Sequence, residues 1–299
     1  MPPALPPSPP DVVLRMEGIG KRFGAHVALD AVDLTLARGT VHALVGENGA
    51  GKSTLVKILT GAYRRSAGAM WLDDRPVAFD TPAEAQAAGV MAVHQEVHLL
   101  GYRTVAENVF VGREPRRFGL IDWRRVRAET ASLMADLALD IDPQATLGAL
   151  SPAARQMVAI ARGVSLGARV LVLDEPTSSL AEREVATLFA LVRRLRAGGT
   201  AIVYVSHRFD ELYALCDTVT VLRDGRRVGT HPLAGLSRLD LVCQMLGKSA
   251  DAVRAGGATG FGHRAGVAPP AGGAAAAVPA PAAAPGDAPL LAVRGLRSG

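Results

Sequence analysis

Residues Val41 to Leu59 read VHALVGENGAGKSTLVKIL. Val41 to Val45 form an apolar, strand-like run. Gly46 to Ser53 then match G-x-x-x-x-G-K-S/T in full, and a helix-forming run follows, closed by Gly61. Strand, glycine-rich turn and helix in this order are the context that makes the motif a phosphate site. The glycines let successive backbone N–H groups converge on phosphate oxygens. The helix start adds its positive dipole end. Lys52 suits the β- and γ-phosphates and Ser53 a Mg²⁺ ion. The nucleotide-binding set is therefore Gly46, Glu47, Asn48, Gly49, Ala50, Gly51, Lys52, Ser53 and Thr54.

Outward from this loop, the pattern predicts strands at Val12 to Met16 and Val27 to Leu36, between glycine-containing turns. Val90 to Val93 is a short strand ending at His94-Gln95. Between Thr104 and Leu147 the periodicity turns helical, longest from Trp123 to Leu139. Pro152 after Ser151 suits a helix first turn. Strand and helix then alternate: Arg169 to Leu173, Glu182 to Arg196, Thr200 to Val205, Phe209 to Leu215 and Val219 to Leu222. That alternation predicts an α/β fold with a mostly parallel core sheet, a β-rich start and a helical insert. The strand Val170 to Leu173 ends in Asp174-Glu175-Pro176, and strand ends are where such folds place ligands. Asp174 suits a Mg²⁺ contact there and Glu175 a general base for an attacking water.

The ends of the 299-residue chain differ from its middle. Residues 1–10 are proline-rich and lack the basic start and apolar core of a signal peptide. Residues 249–288 are mostly Ala, Gly and Pro and read as linker. The foldable region is 11–248. No run of eighteen bulky apolar residues exists, so no membrane span is expected. Cys216 and Cys243 lack CxxC spacing, which fits a reducing compartment and no cysteine-based zinc site. The net charge of +5 is spread over scattered arginine pairs without aromatic interleaving, so nucleic acid is not an expected partner.

The ordered set of motifs resembles the nucleotide-binding domain of an ATP-binding cassette (ABC) protein. Phe23, the glycine-rich loop, Gln95, the Leu150-Ser151 turn with Gln156, LDEPTSS at 173–179 and Val205-Ser206-His207 occur in the family's order. The resemblance implies a P-loop NTPase fold with an antiparallel β-subdomain and a helical subdomain at about 100–165. It implies ATP and Mg²⁺ as cofactors. Phe23 resembles the aromatic that stacks on adenine. Gln95 resembles the glutamine that touches Mg²⁺ and senses the γ-phosphate. His207 resembles the switch histidine at the γ-phosphate. Ser151 resembles the signature serine, which acts in trans on the ATP of a second nucleotide-binding domain. Catalysis would rest on Glu175, His207 and Gln95, and the metal on Ser53, Gln95 and Asp174. Two departures stand out. The usual LSGGQ is Leu150-Ser-Pro-Ala-Ala154, and Ala153 is expected to add a methyl where backbone approaches phosphate, weakening closure. Ala181 stands where many members carry Asp.

Further stretches, among them Val45 to Leu55, His94-Gln95-Glu96, Thr104 to Asn108 and Ile121-Asp-Trp123, resemble the monosaccharide-importer branch (ribose, galactose and xylose type). That resemblance implies an ATPase energising sugar import through a separate membrane permease, fed by a periplasmic sugar-binding protein. It implies a peripheral place at the cytoplasmic face of the inner membrane. Residues 289–299 resemble the opening strand of a second cassette, so the chain is expected to be the first half of a two-cassette polypeptide. The alternatives are a non-transport ABC ATPase and an ATP-binding fragment without turnover of its own.

Overall fold

The computed structural model describes residues 11–93 and 99–255 of the chain. Its first part runs through β1 (Val12–Phe23), β2 (His26–Ala37), β3 (Val41–Val45), α1 (Lys52–Leu59), β4 (Ala67–Leu72), β5 (Arg75–Val77), α2 (Pro82–Ala87) and β6 (Val90–Val93). The insert holds α3 (Val105–Phe110), a short hairpin of β7 (Arg116–Arg117) and β8 (Leu120–Ile121), α4 (Trp123–Asp136) and α5 (Pro152–Ser165). The last part runs through β9 (Val170–Asp174), α6 (Glu182–Ala197), β10 (Ala201–Val205), α7 (Phe209–Leu215), β11 (Thr218–Arg223), β12 (Arg226–Pro232), α8 (Arg238–Leu246) and α9 (Ala250–Ala255).

The central sheet has the order β12-β11-β3-β10-β9-β6. Every pairing in it is parallel except β11 with β12. Its inner strands are apolar at almost every position because both faces are covered. Val41, Leu171, Ile202 and Tyr204 pack on the face under α3 to α7, whereas Leu44, Val170, Val172 and Val203 pack with α1 and the second sheet. That second sheet is antiparallel, in the order β2-β1-β4-β5.

The helical insert is fixed by local caps and one buried amide. Thr104 and Glu107 form a reciprocal capping box at the start of α3. Asn108 is fully buried and bonds the backbone of Leu100 and Thr104 from both ends of its amide. Arg113 donates to the Ser165 carbonyl at 2.9 Å, tying the end of α3 to the end of α5.

Local pattern missed several elements. β4, β5, β12, α2 and α8 are short or gain their character from pairing partners. The segment expected to be linker from residue 249 begins instead with α9, whose start is capped by Ser249 accepting the Ala252 N–H at 3.3 Å. The residues read as the start of a second cassette lie outside the described residues.

One buried histidine couples this sheet to acid. His42 on β3 is 3 % exposed, with both ring nitrogens 2.8 Å from hydroxyls, Nε2 from Thr220 and Nδ1 from Thr218. Burial lowers its pKa from 6.5 to about 4. The unfolded chain therefore takes up this proton first as pH falls. Its contribution is fully present above the unfolded pKa and shrinks as pH drops toward the folded one, by about 3 kcal/mol in all. Urea unfolding at about pH 7 and about pH 5 should show this acid loss, and His42→Gln should flatten it. Equal acid loss in parent and variant would rule His42 out as its source.

Candidate functional site

Three strand ends meet at one edge of the central sheet. Val205 on β10 lies level with Leu44 on β3 and with Asp174 on β9. The glycine-rich loop, the Asp174-Glu175 pair and the Ser206-His207 pair thus leave neighbouring parallel strands at the same height. This is the carboxyl edge at which open α/β sheets bind ligands.

The loop's shape depends on glycine at two places. A Cβ on Gly46 would sit 2.3 Å from the Leu222 carbonyl oxygen, and one on Gly51 would sit 2.6 Å from Leu29 Cδ2. Between them Glu47, Asn48 and Gly49 are exposed, while Ala50 is buried. The β11–β12 turn buttresses the loop from below, with Gly225 N–H donating to the Ala50 carbonyl at 3.2 Å. Lys52 is half-buried and donates to the carbonyls of Gly46 at 2.7 Å and Glu47 at 2.9 Å. Burial holds its pKa below the usual lysine value, and the charges of Glu175 and Asp174 offset only part of that. Both carboxylates therefore act on the loop's lysine across the site. Ser53 and Thr54 follow it in the first turn of α1, with Ser53 exposed.

Glu175 adopts φ 47°, a left-handed conformation that costs a non-glycine residue about 1–2 kcal/mol. Its N–H donates to the Val205 carbonyl at 2.9 Å, which holds the turn against β10. Glu175 Oε1 lies 3.2 Å from His207 Nδ1. A cleft of about 300 Å³ opens here, lined by Glu175, Thr177, Ser178, Leu180, Ser206, His207 and Arg208. The carboxylate is partly exposed and the imidazole largely so, which leaves both accessible to a ligand.

Phe23 ends β1 and is 43 % exposed, so it is not a core residue. Tyr63 meets it edge-on at 5.4 Å between ring centroids, and the Lys21 ammonium lies 4.9 Å over the Phe23 ring. Sequence reasoning missed Tyr63 and Lys21. The signal for Tyr63 was an aromatic placed two residues after the α1 stop at Gly61. Gln95 lies outside the described residues.

Known proteins match this arrangement along most of the described chain. The family described as ABC transporter matches residues 29–178. The chain belongs to the ABC transporter family. A ribose/galactose/methyl galactoside import ATP-binding protein of Burkholderia ambifaria is 47 % identical over 251 residues, covering 83 % of this chain and 48 % of that protein. A protein of the same description from Ralstonia nicotianae is 47 % identical over 243 residues, covering 81 % and 47 %. The chain spans about half the length of the curated relatives it matches. Among solved structures, an ABC-transporter ATP-binding cassette in its ADP conformation is similar with a TM-score of 0.68 at 25 % identity, covering 82 % of this chain and 99 % of that one. A nucleotide-free cassette gives 0.66 at 26 % identity, covering 74 % and 91 %.

On this ABC cassette, Leu150 to Ala154 run into the start of α5. Ser151 caps α5, its Oγ accepting the Ala154 N–H at 3.2 Å, and Pro152 takes the first helical position. Ala153 is 6 % exposed. It belongs to neither hydrophobic cluster of the cassette. Ala181 offers no side-chain acceptor, and α6 is capped from one side only, by Glu184 accepting the Ala181 N–H at 2.9 Å.

Proposed function

We propose that this chain binds Mg-ATP and hydrolyses it as one half of a two-cassette sandwich, energising import of a monosaccharide through a separate membrane permease. The observation that carries the ATPase reading is the Glu175–His207 contact at 3.2 Å, opening beside the phosphate loop. The sugar assignment is supported by the relatives, whose names specify ribose, galactose and methyl galactoside import.

In this reading the backbone of Gly46 to Thr54 holds the phosphates and Lys52 reaches the β- and γ-oxygens. Phe23, with Tyr63 behind it, offers an exposed ring face for adenine stacking. Glu175 takes the proton of the attacking water. His207, held by Glu175, faces the γ-phosphate. Ser53, Asp174 and Gln95 are the metal's protein ligands. Among the described residues no three His, Cys, Asp or Glu side chains gather to form a cage. A hydroxyl, a carboxylate and an amide suit a Mg²⁺ that arrives with its phosphates. Mg²⁺, when bound, neutralises charge developing on the phosphoryl oxygens.

A second cassette would supply its own Ser151-type turn over this ATP, and this chain's Ser151 would cover the partner's. A groove of about 350 Å³ lined by Gln86, Met91, Val93, Leu99, Ala159 and Arg162 supports permease docking between the core and the helical insert. No helix among the described residues is long and apolar enough to cross a membrane. The import role in the relatives' names supports a peripheral cassette at the cytoplasmic face, with sugar choice left to a periplasmic binding protein.

Cells lacking this gene should lose uptake of labelled ribose or galactose and regain it on re-expression. Unchanged uptake of every monosaccharide tested, with ATP turnover intact, would leave the non-transport alternative standing.

A further inference from the structure

Glu211 is 3 % exposed in the first turn of α7, yet its carboxylate is fully engaged. Oε1 accepts from Thr177 Oγ1 at 2.7 Å and forms an ion pair with Arg208 Nη1 at 2.9 Å. Oε2 accepts from Tyr204 OH at 2.9 Å and Ser206 Oγ at 3.1 Å. The Tyr204 phenol, fully buried, stays a donor because burial and the Glu211 charge push its pKa up. Ser206 Oγ in turn accepts the Arg208 N–H at 3.1 Å. Such a buried carboxylate is tolerable only with its lone pairs satisfied, and here they are.

Its partners matter more than their number. Thr177 stands two residues after Glu175, and Ser206 immediately precedes His207. One carboxylate therefore bonds the turn that follows β9 and the turn that follows β10. Glu175 sits in a left-handed conformation that needs support from its surroundings. The Glu175–His207 distance depends on both turns keeping their places.

We propose that Glu211 is a positioning residue that clamps the turn carrying Glu175 to the turn carrying His207. Buried and fully bonded within the protein, it acts through Thr177 and Ser206. Ser178 to Ala181 continue directly from Thr177, so the clamp also links the stretch leading to Ala181 to His207. This inference rests on the reading of Glu175 and His207 as the hydrolytic pair.

Thr177→Val keeps the side-chain shape and removes one arm of the clamp, while Thr177→Ser keeps the hydroxyl. Amide hydrogen exchange of the Glu175 and Arg208 N–H groups reads the clamp without any turnover. Exchange at both should rise about tenfold in Thr177→Val and return to the parent rate in Thr177→Ser. In the protein's ATPase assay, kcat should fall about tenfold with KM for ATP unchanged in Thr177→Val, and recover in Thr177→Ser. Parental exchange at both amides in Thr177→Val would overturn the clamp, as would a loss confined to KM. If Glu175→Gln keeps parental turnover, the hydrolytic reading fails instead, and the exchange result still decides the clamp.

Discussion

Glu175→Gln is expected to lower ATP turnover by about a hundredfold or more, the usual contribution of a positioned general base. The substitution is nearly isosteric. Its amide oxygen can still accept from His207 Nδ1, so the 3.2 Å contact survives while the basicity is lost. The loop is untouched, and Lys52 keeps its bonds to the Gly46 and Glu47 carbonyls. Nucleotide affinity should stay at the parental level or tighten, because a negative charge beside the phosphates is gone. Single-turnover hydrolysis and equilibrium ATP binding separate the two effects. Turnover within about threefold of the parent would remove Glu175 from the base role, since so small a loss lies below that contribution.

Gly46→Ala should abolish nucleotide binding and destabilise the fold together. The new Cβ would meet the Leu222 carbonyl oxygen at 2.3 Å and Ala50 Cβ at 2.9 Å. Neither neighbour is the free end of a flexible chain, so the loop or the end of β11 must move. A cost of about 3 kcal/mol or more is expected from overpacking and backbone strain together. Gly49→Ala is the matched control, because its Cβ meets nothing within 4 Å and only the φ of 85° is strained. That variant should lose about 1–2 kcal/mol. Urea unfolding and labelled-nucleotide binding, measured on both, test the difference. Equal losses would show that torsional strain, and not contact with Leu222, dictates glycine at position 46.

Much of the candidate site was legible because its chemistry is local. The torsions of Gly46, Gly49 and Gly51, the apolar run before them and the helix after them lie within twenty residues of sequence. Asp174-Glu175 at the end of an apolar strand and Ser151-Pro152 at a helix start are equally local signals. The antiparallel sheet was less legible. β4 and β5 carry little pattern of their own: β4 gains its strand character by pairing with β1, some fifty residues earlier, and β5 by pairing with β4. The burial of Ala153 was invisible for a related reason: a one-residue motif comparison does not say which face of α5 turns inward.

Glu211 marks the boundary most sharply. In sequence, Phe209-Asp-Glu-Leu212 is an ordinary acidic first turn of a helix, favourable to the helix dipole and expected in solvent. In the fold it is buried against Thr177, which is 34 residues away in sequence. The chain by itself pointed to a phosphate loop and an acidic strand end, because each is written in contiguous residues with short-range torsional and hydrogen-bonding needs, whereas the role of His207 was legible only through the family resemblance. Only the tertiary structure decided that Glu175 and His207 stand 3.2 Å apart and that a third, buried carboxylate holds their turns. Strand order is set by packing across the whole domain, and no local pattern encodes which strand ends become neighbours.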